Sequence, residues 1–179
     1  MNKNYDSKNP QSGFSLIEIL VTLLVLSIGL LGLAGLQGQS LTNNNESFAR
    51  STVTNLSNDI INRMAANRAS AITAPPGGYS INIAKSKSIQ ALDCETATGC
   101  TPGDTIGHDL YIWDDALATQ LENGVGLVCF DSTPNDNDAL PADGKCDNVG
   151  PVYAIKIWWG PDNNNDNVPD NSFVTSYQP

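Results

Sequence analysis

Apolar and polar positions are distributed unevenly along this chain. Residues Phe14–Leu36 are apolar almost without interruption, with Glu18 the single acid among them. As a helix that run would extend about 35 Å, enough to cross a bilayer core of roughly 30 Å. A hydrophilic stretch, Met1–Gly13, precedes it. Beyond it the apolar residues thin to a stripe: Leu41, Phe48, Val53, Leu56, Ile60 and Met64 recur at mostly helical intervals. This predicts a helix continuing to about Asn67, with the stripe packed on the domain's own sheet. Thr42–Asn45 are poor helix formers and predict a kink or a frayed turn. Pro75-Pro76-Gly77-Gly78 then end helical structure.

The period changes after the glycines. Tyr79, Ile81 and Ile83 alternate with polar residues, as do Val125, Leu127 and Cys129 within Gly124–Phe130. Tyr153, Ile155, Ile157 and Trp159 form a third alternating face, with Lys156 expected to point away from it, and Phe173, Thr175 and Tyr177 a fourth. Between the first two lies a helical set, Leu110, Trp113, Leu117 and Leu121, with Asp109 as the expected N-cap and Gly124 as the stop. Helix, strand, short helix and antiparallel meander predict an α+β fold, a long N-terminal α-helix packed on a small antiparallel sheet. The divisions are 1–13 (leader), 14–36 (membrane-spanning helix), 37–74 (amphipathic half of the helix and its exit) and 75–179 (head). The three tryptophans, Trp113, Trp158 and Trp159, fit core or interface positions better than a cofactor box.

Charge narrows the partners. Net charge is −10, and from residue 91 onward there are fifteen acids against Lys145 and Lys156. Such a head repels phosphate backbones, which argues against direct nucleic-acid binding. All four cysteines, Cys94, Cys100, Cys129 and Cys146, follow the apolar run, which fits disulfides in an oxidising compartment. Four cysteines permit three pairings. The two local loops, Cys94–Cys100 and Cys129–Cys146, are favoured, the second contributing on the order of 3 kcal/mol by the chain-entropy model. No C-x-x-C spacing occurs and His108 is the one histidine, so a thiol–metal site is the weaker reading.

Catalytic chemistry finds little support. A Ser/His/Asp set would need His108, and no G-x-S-x-G elbow exists. Asp114 and Asp115 diverge by roughly 100° on a helix and cannot act as one pair. The chain therefore reads as a non-enzyme without an organic cofactor. Calcium is the one ion for which a ligand pattern exists. Asp162, Asn164, Asp166 and Asp170 place oxygens at every second position, with the Val168 carbonyl in reach. Asn167 stands where an EF-hand has its glycine and Phe173 where it has its bidentate acid, so a polar hairpin loop is the plainer reading.

Lys3 and Lys8 precede the apolar run, which holds that end in the cytoplasm and sends the head outside. A cleaved secretory signal would need small residues after the run, and Ala34-Gly35-Leu36-Gln37-Gly38 is an imperfect version. Glu18 is more informative. A carboxylate inside a spanning helix costs roughly 2.5–3.5 kcal/mol, and a plain anchor gains nothing from it. A free amine at the start of a processed neighbouring chain would compensate it. Cutting between Gly13 and Phe14 would create that amine.

Gly13-Phe14-Ser15-Leu16-Ile17-Glu18-Ile19-Leu20-Val21 resembles the processing motif of type IV prepilins, pseudopilins of type II secretion included. The resemblance implies that a prepilin peptidase cuts after Gly13 and methylates Phe14, and that Glu18 is the assembly acid. Ile28-Gly29-Leu30-Leu31-Gly32-Leu33-Ala34-Gly35-Leu36-Gln37 is similar to the PilV family of minor pilins, the type IV pilus modification proteins. So is the head's order of Asp109-Leu110, Trp113, Leu117, Leu121, Gly124, Gly126, Val128-Cys129 and Tyr153–Trp159. Gly29, Gly32, Gly35 and Gly38 each cost about 1 kcal/mol relative to alanine in a helix, which suggests a segment softened for entry into a filament. What the family implies is an inner-membrane protein, later a surface pilus subunit. Its partners would be the assembly platform, other minor pilins, the major pilin and a tip adhesin. The competing readings are a type II secretion pseudopilin and a membrane-tethered adhesin or calcium-dependent binding module.

Overall fold

The computed structural model describes residues 13–73, 77–81, 94–96, 99–135, 140–141 and 143–179. The leader to residue 12, Pro75-Pro76 and Ile83 lie outside them. The chain divides into two compact units, Met1–Glu46 and Ser47–Pro179. Helix α1 runs Leu16–Ala66 and a single turn, α2, follows at Arg68–Ala71. Residues 42–45, where a kink was expected, are helical, as is the whole glycine-bearing stretch 29–38. In the first unit the apolar side chains of α1 are exposed throughout, Leu16 and Leu31 by about three quarters. A helix that is apolar on every face has no aqueous solution of its own and requires lipid or like helices around it.

The core of the second unit begins at Thr52. Val53, Leu56, Ile60 and Met64 are buried from there on. Phe48, expected in the same stripe, is 71% exposed, and Leu41 is exposed in the first unit. Helix α3 spans Pro102–Gln120, with Thr101 as its N-cap rather than Asp109. Thr101 Oγ1 accepts from the Asp104 backbone N–H at 3.2 Å and donates to the Asp104 carboxylate, and Pro102 opens the first turn. These are the usual solutions for the orphan N–H groups of a first turn. Leu110, Trp113, Leu117 and, just past the helix, Leu121 are buried as their spacing predicts.

Among the described residues, three antiparallel strands form the sheet in the order β1-β2-β3: β1 Val125–Phe130, β2 Tyr153–Trp159 and β3 Asn171–Tyr177. Tyr79 lies in a turn rather than a strand, although the Ile81 N–H reaches Val128 O at 2.6 Å along the outer edge of β1. Register sorts the side chains. One face carries Val128, Phe130, Tyr153, Ile155, Ile157 and Trp159, which pack with α1 and α3 in the main core. Phe130 stacks on its cross-strand partner Tyr153 with ring centroids 4.1 Å apart. Gly126 also lies on this face, and a Cβ there would overlap the Trp113 ring and Leu117, so only glycine lets α3 sit this close. Trp113 Nε1 donates to Leu56 O at 2.9 Å, tying α3 to α1.

The opposite face is covered as well, and β2 is buried at every position. Leu127, Cys129, Ala154 and Trp158 form a second, smaller core with Val125 and Cys146. The apolar alternation of β1, Val125, Leu127 and Cys129, belongs to this second core and not to the helix-packed one. The cover is the connection from β1 to β2, held down by the Cys129–Cys146 disulfide. Its Gly144 lies so close to Leu127 that a Cβ would collide with that side chain. The other disulfide joins Cys94 to Cys100.

Candidate functional site

Gly13, Phe14 and Ser15 precede the helix, and Phe14 is 82% exposed. Ser15 O accepts from the Glu18 and Ile19 backbone N–H groups at 3.0 and 3.3 Å, which starts α1. Glu18 therefore sits in the first helical turn, where the exposed N–H groups favour an acid by about 0.3–1 kcal/mol. That gain is too small to explain a carboxylate in an otherwise apolar spanning segment. The structure thus presents a solvent-facing Gly13–Phe14 junction, an acid one turn into the helix, and an apolar surface behind it. α1 is the one helix among the described residues long and apolar enough to cross a membrane.

In the head, polar side chains serve packing. Asp109, in the interior of α3, is buried and accepts from Tyr79 Oη at 2.5 Å and from Arg63 Nη1 at 3.1 Å. Arg63 also pairs with Asp59 across one turn of α1. Asn67 Nδ2 completes the set, donating to Tyr79 Oη and Pro102 O. Burial, reinforced by the Asp109 carboxylate, raises the Tyr79 phenol above its ordinary range. Burial works against the Arg63 cation, and the two carboxylates more than offset it. These groups join α1, α3 and the 77–81 turn, where Gly78 has φ +65 and lies against Tyr153 Oη and Ser70 O.

On the second face Lys156 is fully buried. Its Nζ donates to Asp131 Oδ2 at 2.7 Å and to Gly144 O at 2.8 Å. Asp131 Oδ1 accepts in turn from the Thr133 N–H at 3.0 Å. Lys156 does point away from the helix-packed core, as the alternation requires, but the disulfide-held connection covers it. Among the described residues, one trio of potential ligand atoms converges within 4.8 Å, from Cys129, Asp131 and Cys146, and its two sulfurs are bonded to each other.

The Asp162–Asp170 stretch closes on itself. Asp162 accepts from the Asp166 and Asn167 N–H groups at 3.1 and 2.9 Å, and Asp166 Oδ1 from the Val168 N–H at 2.8 Å. Asn164 Nδ2 donates to Asp166 Oδ2, and Asp170 Oδ2 accepts from the Asn163 backbone and side chain. Asn165 and Asn167 take left-handed φ values, which asparagine tolerates. The four oxygen-bearing residues that alternate in the sequence thus act here as turn-formers for the β2–β3 hairpin.

Asp114 faces inward, 7% exposed, while Asp115 is exposed. Burial, and then the neighbouring Asp115 charge, raise the Asp114 carboxyl above its ordinary 3.8. Folding thus favours the protonated form, so this group's contribution to stability is full below pH 3.8 and fades as pH rises through the raised value. Asp114→Asn is expected to melt above wild type at pH 7, with the gap closing towards pH 3. Thermal melts at the two pH values check this, and an equal gap at both would contradict it.

A model of the prokaryotic N-terminal methylation motif matches residues 8–34, a span that contains Gly13, Phe14 and Glu18. No curated protein and no solved structure matches the chain. The motif supports a type IV pilin-like or pseudopilin protein, and the apolar N-terminal helix, the small antiparallel sheet and the two disulfides form a pilin-like α+β architecture. The motif implies processing by a prepilin peptidase and assembly with pilus-type machinery.

Proposed function

We propose that this chain is a minor pilin of the PilV kind, which primes or modifies assembly of a type IV pilus and is held in the inner membrane beforehand. The observation that carries the reading is the matched motif, with a Gly13–Phe14 junction and Glu18 as the lone acid of the apolar segment 14–36. Cleavage after Gly13 leaves the Phe14 amine free for methylation. A mature amine at Phe14 lies about one helical turn from Glu18, so a small axial offset between neighbouring helices brings one chain's amine to the other's carboxylate. Assembly then joins two charges in lipid that are costly apart. The order of apolar positions in the head, from Leu110 to Trp159, supports the PilV assignment. Its partners on this reading are the prepilin peptidase, the assembly platform, other minor pilins, the major pilin and a tip adhesin.

Mass spectrometry of the mature N-terminus tests the processing step. The expected first residue is N-methylated Phe14. An intact Met1, or cleavage near Gly38, would overturn the pilin reading. Recovery in sheared pili supports the minor-pilin role, whereas recovery only with a type II secretion apparatus would reassign the chain as a pseudopilin.

A further inference from the structure

The two edges of the sheet differ. The outer edge of β1 is engaged by the Ile81 N–H. The outer edge of β3 is open: among the described residues, no backbone hydrogen bond outside the sheet involves 171–177. Soluble proteins blunt such edges with charge, proline, a bulge or a very short strand. Strand β3, Asn-Ser-Phe-Val-Thr-Ser-Tyr, is seven residues long, uncharged and proline-free, and pairs with β2 in unbroken register. Phe173 and Tyr177 pack against the main core but are only partly covered. An extended chain laid beside β3 would pair the open N–H and C=O groups and complete that cover.

Charge identifies the occupant. In the head, 75–179, fifteen acids stand against Lys85, Lys87, Lys145 and Lys156, of which Lys156 is buried against Asp131 and Lys145 pairs with Asp143 at 3.3 Å, so its net charge is strongly negative. Asp162, Asp166 and Asp170 lead directly into β3. A second copy docked on this edge would bring two such acidic heads together, which opposes association.

We infer that the open edge of β3 is a strand-addition site for a different pilin-type subunit, whose extended segment is uncharged along β3 and basic where it passes residues 162–170. The inference rests on the pilin reading and assigns the subunit's lateral contact.

Hydrogen exchange on the full chain tests it, comparing purified protein in detergent with protein in sheared pili. Alternate β3 amides should exchange at least tenfold more slowly in the pili, and equal rates would overturn the proposal. Absence from pili counts against the pilin reading. The edge is then decided by the same comparison between purified chain and solubilised native membranes, where equal rates again overturn it. The variants Val174→Pro and Thr175→Pro separate the two sides of the strand. The substitution whose N–H faces β2 lowers the melting temperature. The other leaves it unchanged and abolishes the slowed exchange; retained slowing in that variant would contradict strand addition. A detergent-solubilised dimer made through β3 would contradict the choice of a different subunit.

Discussion

Asp131→Ala should destabilise the head by about 3–5 kcal/mol, the range for removing one member of a buried ion pair. Lys156 and Asp131 are both fully buried, and the Lys156 ammonium sits between that carboxylate and Gly144 O. Removing the carboxylate leaves the cation's burial cost in place and takes away the charge that offsets it. The change also withdraws the acceptor for the Thr133 N–H. Replacing both members, Asp131→Leu with Lys156→Met, should recover most of the loss, because apolar pairs often match or exceed a buried ion pair. Urea unfolding in detergent reads both variants. A loss below about 1 kcal/mol for Asp131→Ala, the range of a surface ion pair, would show that water reaches the site.

The second large effect concerns assembly. Glu18→Ala should leave membrane insertion intact or improve it, because it removes an insertion cost of roughly 2.5–3.5 kcal/mol. Incorporation into pili should fall at least a hundredfold, since a contact of about 3 kcal/mol in lipid is lost and each 1.4 kcal/mol is tenfold. Quantifying the chain in the membrane fraction and in sheared pili separates the two. Were Glu18 only completing the first turn of α1, the change would cost about 0.3–1 kcal/mol and incorporation would drop a few-fold at most. Normal incorporation would remove the amine-pairing role.

The N-terminal half was the most legible part of this chain, because a long apolar run has few physical solutions. The stripe from Val53 to Met64 and the Leu110–Leu121 spacing were legible for the same reason: helical period survives wherever one face is buried. The start of α3 was misread. Thr101-Pro102 with Asp104 three residues on is a recognisable N-terminal signal, but Gly103 and Gly107 dilute the helical pattern, and Asp109 beside the first apolar residue looked like a cap. Asp109 instead needed two distant partners, Arg63 and Tyr79, which no local pattern announces. The surroundings of Lys156 were hidden for a related reason. Alternation told correctly which way it points, whereas its burial depends on where the 131–149 connection lies, a long-range matter. The turn geometry at 162–170 was visible in the Asn and Asp content. The open edge of β3 became apparent only with the strand order.

The bridge between Cys129 and Cys146 also sets a schedule. Until those thiols are oxidised, nothing covalent holds the connection over Leu127, Ala154 and Trp158, and the Lys156 ammonium lacks a secure lid. On the proposed pilin reading this bridge would close only once the head has left the reducing cytoplasm. On the proposed topology, with the head outside the cytoplasm, maturation of the head and its export would become one event.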